Sequence, residues 1–295
     1  MNQRNFLLCC CIIFTILFFY SCSNEPDNTA TSDDGVNIVF DKQGEGNPAI
    51  IFVHGWANNR SIWDEQIKHF SKKYAAVAVD LPGFGESGNN RSNWTIKSFG
   101  DDVAAVINKL NLSQAVLVGF SMGAPVVIEA ANKIPEVVIG VVLVDDMHNI
   151  EMKIPPQMVS YIDSVFMDLV ENPTNEKLIA GGFYKKNPEE SYQKVLSMIK
   201  DTSRIGWRES LHSTFQWHNE HCIESLKQLN APLAAINTDM QPTNAEAFSK
   251  YVPSFQLKVI QGAGHVVMWD ATEEFNRLLE ESIQEFKKPT SYTVN

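Results

Sequence analysis

The sequence predicts an α/β fold, a mostly parallel central sheet with helices on both faces. Three observations carry this. Residues 49–53, 75–79, 115–118 and 138–144 are continuous apolar runs without polar alternation, as expected of strands buried on both faces. Segments with helical apolar spacing separate them, which is the pattern of parallel strand–helix–strand units. The pentapeptide Gly119-Phe120-Ser121-Met122-Gly123 stands between one such strand and a helix with Pro125 in its first turn. A turn that sharp crowds the backbone, and glycine at 119 and 123 removes side chains that would collide with neighbouring elements. The turn lifts the Ser121 hydroxyl above the sheet and sets the Met122 N–H at a helix start, where positive dipole gathers.

Taken in order, the chain begins with Arg4 and an uncharged apolar run over 6–20. That run is short for a membrane span and suited to a signal peptide. It ends Phe19-Tyr20-Ser21-Cys22, which resembles a bacterial lipobox with Tyr20 as its poorest match. The resemblance implies a signal peptide over 1–21, lipidation at Cys22, and a protein anchored by its lipid to a membrane of the cell envelope, periplasmic or surface-facing. Residues 22–34, rich in Asn, Asp, Ser and Thr, read as a flexible tether. Of the five cysteines only Cys222 lies beyond Cys22, so no intrachain disulfide is expected in the domain, and Cys222 reads as a structural thiol. A net charge of −11 with no basic run argues against nucleic acid as a partner.

Residues 36–40 predict a first strand that turns at Gly44-Glu45-Gly46, and 49–53 a second that ends in His54-Gly55-Trp56. Residues 61–72 carry Ile62, Trp63, Ile67 and Phe70 at helical spacing. The strand at 75–79 runs into Asp80-Leu81-Pro82-Gly83-Phe84-Gly85-Glu86-Ser87, a packing and turn element in which Asp80 is expected to be structural. A helix over 95–110 leads to the strand before Ser121, and 138–144 is the next strand. From 148 to 225 the rhythm breaks, with helices expected at 155–171, 188–200 and 205–219 and no strand. Alternation resumes with a strand at 233–237, a helix at 244–251, a strand at 255–260 and a final helix at 272–286, followed by a polar tail over 289–295.

Ser121 in its strand–turn–helix setting, His54-Gly55-Trp56, the Asp80–Ser87 stretch and Gly262-Ala263-Gly264-His265 come in the order and at the strand ends of the α/β-hydrolase superfamily, which the chain resembles over nearly all of residues 36–286. The resemblance implies a core over 35–147 and 226–288 with a helical cap over 148–225, inserted after the sixth strand. It implies a serine nucleophile, then an acid, then a histidine. Of seven histidines, His265 follows the last expected strand in a glycine loop and fits the base. Asp239, in the loop after the strand at 233–237, resembles the usual position of the acid and is preferred to Asp145 and Asp146, which end the preceding strand. The match at His54-Gly55-Trp56 implies oxyanion donors at the backbone N–H groups of Trp56 and Met122, with His54 structural.

These residues point to a serine hydrolase that cleaves a small or medium carboxylic ester through an acyl-enzyme. The apolar cap residues Phe166, Met167, Phe183, Trp207, Phe215 and Trp217 are consistent with an apolar ester. A C–C bond, an amide or a lactone would suit the same triad, and perhydrolase or cofactor-free haloperoxidase activity would be a side reaction of it. A ligand-binding member with slow turnover is the reading from another class. Ser at 121, where dehalogenases and epoxide hydrolases carry Asp, argues against those chemistries. No metal or cofactor is expected, since there is no H-E-x-x-H, no paired-cysteine spacing and no nucleotide-binding glycine fingerprint. His212, His218 and His221 read as a solvated face. Oligomeric state is not legible.

Overall fold

The computed structural model describes residues 28–172, 184–199 and 203–288. Residues 1–21 with Cys22, Phe183 and the tail at 289–295 lie outside them. Eight strands form one sheet in the order β1-β2-β4-β3-β5-β6-β7-β8. They are β1 (Thr29–Thr31), β2 (Asn37–Gln43), β3 (Ala49–Val53), β4 (Ala76–Val79), β5 (Ala115–Phe120), β6 (Val138–Val144), β7 (Leu233–Thr238) and β8 (Gln256–Ile260). Strands β1 and β2 pair antiparallel with each other, and β2 is antiparallel to β4; every pairing from β4 through β8 is parallel.

The helices are α1 (Asp64–Phe70), α2 (Ile96–Lys109), α3 (Gly123–Lys133), α4 (Pro156–Glu171), α5 (Pro188–Ile199), α6 (Arg204–Glu220), α7 (Cys222–Gln228), α8 (Ala245–Tyr251), α9 (Val267–Asp270) and α10 (Thr272–Phe286). A 3-10 turn, Arg60–Trp63, leads into α1, so the single helix expected over 61–72 is two elements.

Each central strand splits its side chains between two cores. Ala49, Ile51 and Val53 of β3 enter one cluster with α2 and α3. Ile50 and Phe52 enter the other with Trp63, Phe70, Phe275 and Ile283. Alternate residues point to opposite faces, and both faces are covered, so the strands are apolar throughout. Helix α2 is started by a capping box in which Thr95 and Ser98 satisfy each other's backbone N–H.

One boundary differs from expectation. Thr29–Thr31, inside the segment expected to be a flexible tether, is an edge strand paired to Asn37–Val39. Arg91 holds the turn after it: the guanidinium binds Asp34 at 2.9 Å and Asp102 at 2.6 Å, and the Arg91 and Asp102 side chains are only 2% and 1% exposed. The ordered fold therefore reaches at least to Asn28.

The cap leaves the sheet after β6 and returns to it at β7. It is bolted to the core through aromatic side chains. Trp56 Nε1 donates to the Trp207 carbonyl at 2.8 Å, and the Trp56 ring meets Phe166 and Trp207 edge-on at 4.8 and 4.9 Å. Trp217 Nε1 and Ser225 Oγ both donate to the Glu129 carboxylate on α3. No helix among the described residues is long and apolar enough to cross a membrane.

Candidate active site

Ser121 sits between β5 and α3 with φ +49°, a left-handed conformation that few non-glycine residues adopt. The turn is pinned on both sides: Ser121 N–H donates to Val144 O at 3.0 Å and Ala124 N–H to Ser121 O at 2.7 Å. The flanking glycines are there because of close approaches. A Cβ on Gly119 would lie 2.2 Å from Gly123 O, and one on Gly123 would lie 2.6 Å from Val53 O. Serine 121 is thus held proud of the strand ends, with Met122 as the first residue of the α3 entry.

His265 follows β8, and its loop is fixed at both ends. Gly262, at φ +75°, donates its N–H to Asp239 Oδ1 at 2.8 Å, and Gly264 N–H donates to Asp270 Oδ2 at 2.7 Å. The imidazole lies 4.8 Å from the Phe120 ring, centre to centre. Its Nδ1 donates to a carboxylate at 2.7 Å, and that carboxylate is Asp145 Oδ2.

The expected acid is therefore corrected. Asp239 is exposed and binds the backbone of Gly262, where it shapes the loop rather than the imidazole. Asp145 directly follows β6 with φ +46°, and its other oxygen accepts from Thr238 N–H at 2.7 Å and Thr238 Oγ at 2.8 Å. The reason lies in register. Val144 pairs with Ile236, so Asp145 leaves β6 beside the last turns of β7, and two donors from Thr238 aim its carboxylate at His265. Burial works to raise the Asp145 pKa, but the hydrogen bond and charge of His265 and the Thr238 donors outweigh it, so the carboxyl is held below its ordinary value. Asp146, the other residue at that strand end, does not meet the Nδ1 of His265; it lines the cavity instead.

That cavity has a volume of about 370 Å³. Ser121, Met122, Trp56, Asp146 and His265 share its wall with cap residues including Ile162, Phe166, Leu211 and Phe215. Nucleophile-type hydroxyl, carboxylate-oriented imidazole and the two expected donor residues thus meet in one largely apolar chamber, the set of parts that acyl transfer needs. Of the cap aromatics singled out in the sequence, Phe166 and Phe215 line the chamber. Trp207 and Trp217 are buried in the core cluster that the cap shares with α2 and α3, and Met167 packs against that cluster.

His54 is structural. It is fully buried, its Nε2 accepts from Leu81 N–H at 3.0 Å, and Nδ1 donates to Gly55 O at 2.7 Å. Burial pushes its pKa down, keeping it neutral. Asp80 is structural as well: buried, it accepts from the Arg60 guanidinium and from the N–H groups of Arg60 at 2.6 Å and Glu86 at 2.9 Å. Cys222 is a buried thiol at the start of α7, pushed up to about 12 by burial. His212 meets Asp163 at 3.1 Å, and His218 Nε2 donates to Met152 O at 2.9 Å.

Thr238 and Asp270 were not singled out in the sequence. Asp270 holds Gly264 and also accepts the backbone N–H groups of Lys185 and Lys186, both at 2.9 Å, so one carboxylate ties the histidine loop to the cap. Its position just past His265 was the available signal.

A family model described as alpha/beta hydrolase fold matches residues 48–272. The AB hydrolase superfamily protein YisY of Bacillus subtilis is 25% identical over 260 residues, covering 84% of this chain and 96% of that protein. The non-heme chloroperoxidase CPO-A1 of Kitasatospora aureofaciens is 27% identical over 277 residues, covering 85% and 97%. Among solved structures, a thermophilic esterase from Thermogutta terrifontis superposes with a TM-score of 0.75 at 21% identity, covering 88% of this chain and 98% of that one. With the fold and a match across well over half its length, the chain belongs to the alpha/beta hydrolase fold family.

Proposed function

We propose that the protein is a serine hydrolase that cleaves a small or medium carboxylic ester through an acyl-enzyme. One observation carries the reading: the Asp145–His265 hydrogen bond at 2.7 Å, in a chamber that also holds Ser121 on its left-handed turn. Asp145 fixes the ring so that Nδ1 carries the proton and Nε2 is the base. The base takes the Ser121 proton as Oγ attacks the ester carbonyl, and the alkoxide leaves with that proton. Water then repeats the sequence and frees the acid. Negative charge on the carbonyl oxygen is met by the backbone N–H groups of Trp56 and Met122, a type of contact worth about 10²–10³ in rate per donor. The apolar cap wall favours an apolar acyl or alkyl group.

Likeness to an esterase supports the class, and likeness to a chloroperoxidase is consistent with the side chemistry expected of the same residues. The test is labelling by a fluorophosphonate, with the adduct mapped to Ser121, alongside turnover of p-nitrophenyl butyrate. Labelling and turnover that both vanish in Ser121→Ala support the reading. A wild-type protein that no phosphonate modifies overturns it. Labelling with negligible turnover across esters, amides and lactones moves the protein to the slow-turnover class.

Lipidation of Cys22 and attachment to an envelope membrane are part of the same proposal and rest on the leader sequence. Incorporation of a labelled fatty acid that is lost in Cys22→Ala supports them; incorporation that persists, or none at all, overturns them.

A further inference from the structure

We propose that Asp146 sets the substrate class of this chamber, admitting uncharged or cationic molecules and turning away those that bring a fixed negative charge. The inference rests on the chamber being the substrate site. Asp146 is the acidic residue among those described on its wall, and none of the described lining residues is Lys or Arg. Its neighbours on the wall are apolar or neutral, Trp56, Phe166, Leu211 and Gln241 among them.

The backbone separates its role from that of the residue before it. Asp145 and Met147 both have positive φ, +46° and +55°, so the chain twists sharply on either side of Asp146. The carboxylate of Asp145 is thereby given to His265, while Asp146 is a residue of the chamber wall. The Asp146 side chain accepts the Met147 N–H, and its carbonyl accepts Asn237 Nδ2 at 3.3 Å. Among the described residues the titratable groups around it are few. His265, from the loop after β8, favours the charged carboxylate, and Asp145 opposes it. Cys222 on α7 is neutral, and His148, next to Asp145, is held neutral by burial. Among the described residues no fixed cation offsets Asp146. An anionic substrate would set a second negative charge beside it against a largely apolar wall, where like charges repel more than in open water. An ammonium on the substrate would supply the missing partner. Burial also pushes the carboxyl up to about 6, so the discrimination belongs to neutral and alkaline solution and fades on acidification.

The test uses three aryl esters of matched length, one uncharged, one ending in sulfonate and one in trimethylammonium. They are titrated calorimetrically into Ser121→Ala protein, with and without Asp146→Asn. At pH 8 the sulfonate is expected to bind roughly tenfold or more weakly than the uncharged ester, the scale of two unit charges a few ångströms apart. Asp146→Asn should bring the two affinities together and remove any advantage of the ammonium ester. Lowering the pH to 5 should narrow the gap in the Asp146 protein more than in the Asn variant. The pH arm with Asp146 present needs no folded variant at that position. A ratio that Asp146→Asn leaves unchanged at pH 8, or that the pH leaves unchanged with Asp146 present, overturns the proposal. Turnover by the unsubstituted protein is read separately: charge discrimination without ester hydrolysis keeps this proposal and rejects the ester reading, and hydrolysis without discrimination does the reverse. No binding by any of the three overturns this proposal, while the ester reading is decided by the fluorophosphonate adduct and turnover.

Discussion

At the scale of single residues, the site turns on which of two loops supplies the carboxylate. Asp239 and Asp145 end neighbouring strands, and only one reaches the imidazole. Replacing Asp145 by Asn keeps the shape but removes the acceptor that fixes the ring tautomer, and kcat is expected to fall by about 10⁴. Asp239→Asn keeps an amide oxygen that can accept the Gly262 N–H on this exposed loop and removes only the charge. That substitution should cost no more than about tenfold in kcat, with about 1 kcal/mol or less of stability. Steady-state kinetics of the two variants, with folding checked by circular dichroism, separates the assignments. Equal losses, or a larger loss at 239, would return the acid to the loop after β7.

At the scale of elements, the turn between β5 and α3 is the part with least tolerance. A methyl group on Gly119 meets the carbonyl of Gly123 at 2.2 Å, so strand and helix must part to admit it. Gly119→Ala is expected to destabilise the fold by about 1–3 kcal/mol, the usual scale of overpacking. Because the shift displaces Ser121 against His265, activity should drop by about 10²-fold beyond the loss of folded protein. Denaturant melts and active-site titration measure the two effects apart. A variant as stable and active as the parent would mean that the crowding is absorbed elsewhere. The sequence made this element legible, because glycine on both sides of a serine between an apolar run and a helix has few other physical uses.

At the scale of the whole molecule, the sheet is held between two cores and its antiparallel edge is held by charge. Arg91 and Asp102 form a buried pair that also reaches Asp34 in the turn after β1. Removing one member of a buried pair leaves the other unmatched, so Asp102→Ala should cost about 3–5 kcal/mol. Asp34→Ala, at a residue 40% exposed, should cost about 1 kcal/mol or less. Thermal and denaturant unfolding of both variants checks the order; a small effect at Asp102 would mean that solvent or Asp34 already satisfies Arg91. Expecting a tether over 22–34 missed this, since a short polar strand such as Thr29–Thr31 has no apolar pattern to announce it.

The sequence by itself determined what depends on local pattern. Apolar runs gave the parallel strands, helical spacing gave the layers and the cap, and glycine spacing gave Ser121 and the loop of His265. What only the tertiary structure decided was which groups from distant strand ends meet: Asp145 rather than Asp239, Thr238 behind it, Asp270 under the loop, and Asp146 on the chamber wall. The physical reason is that a hydrogen bond between residues 120 positions apart depends on strand register and backbone twist to a fraction of an ångström, and neither leaves a periodic trace in the chain.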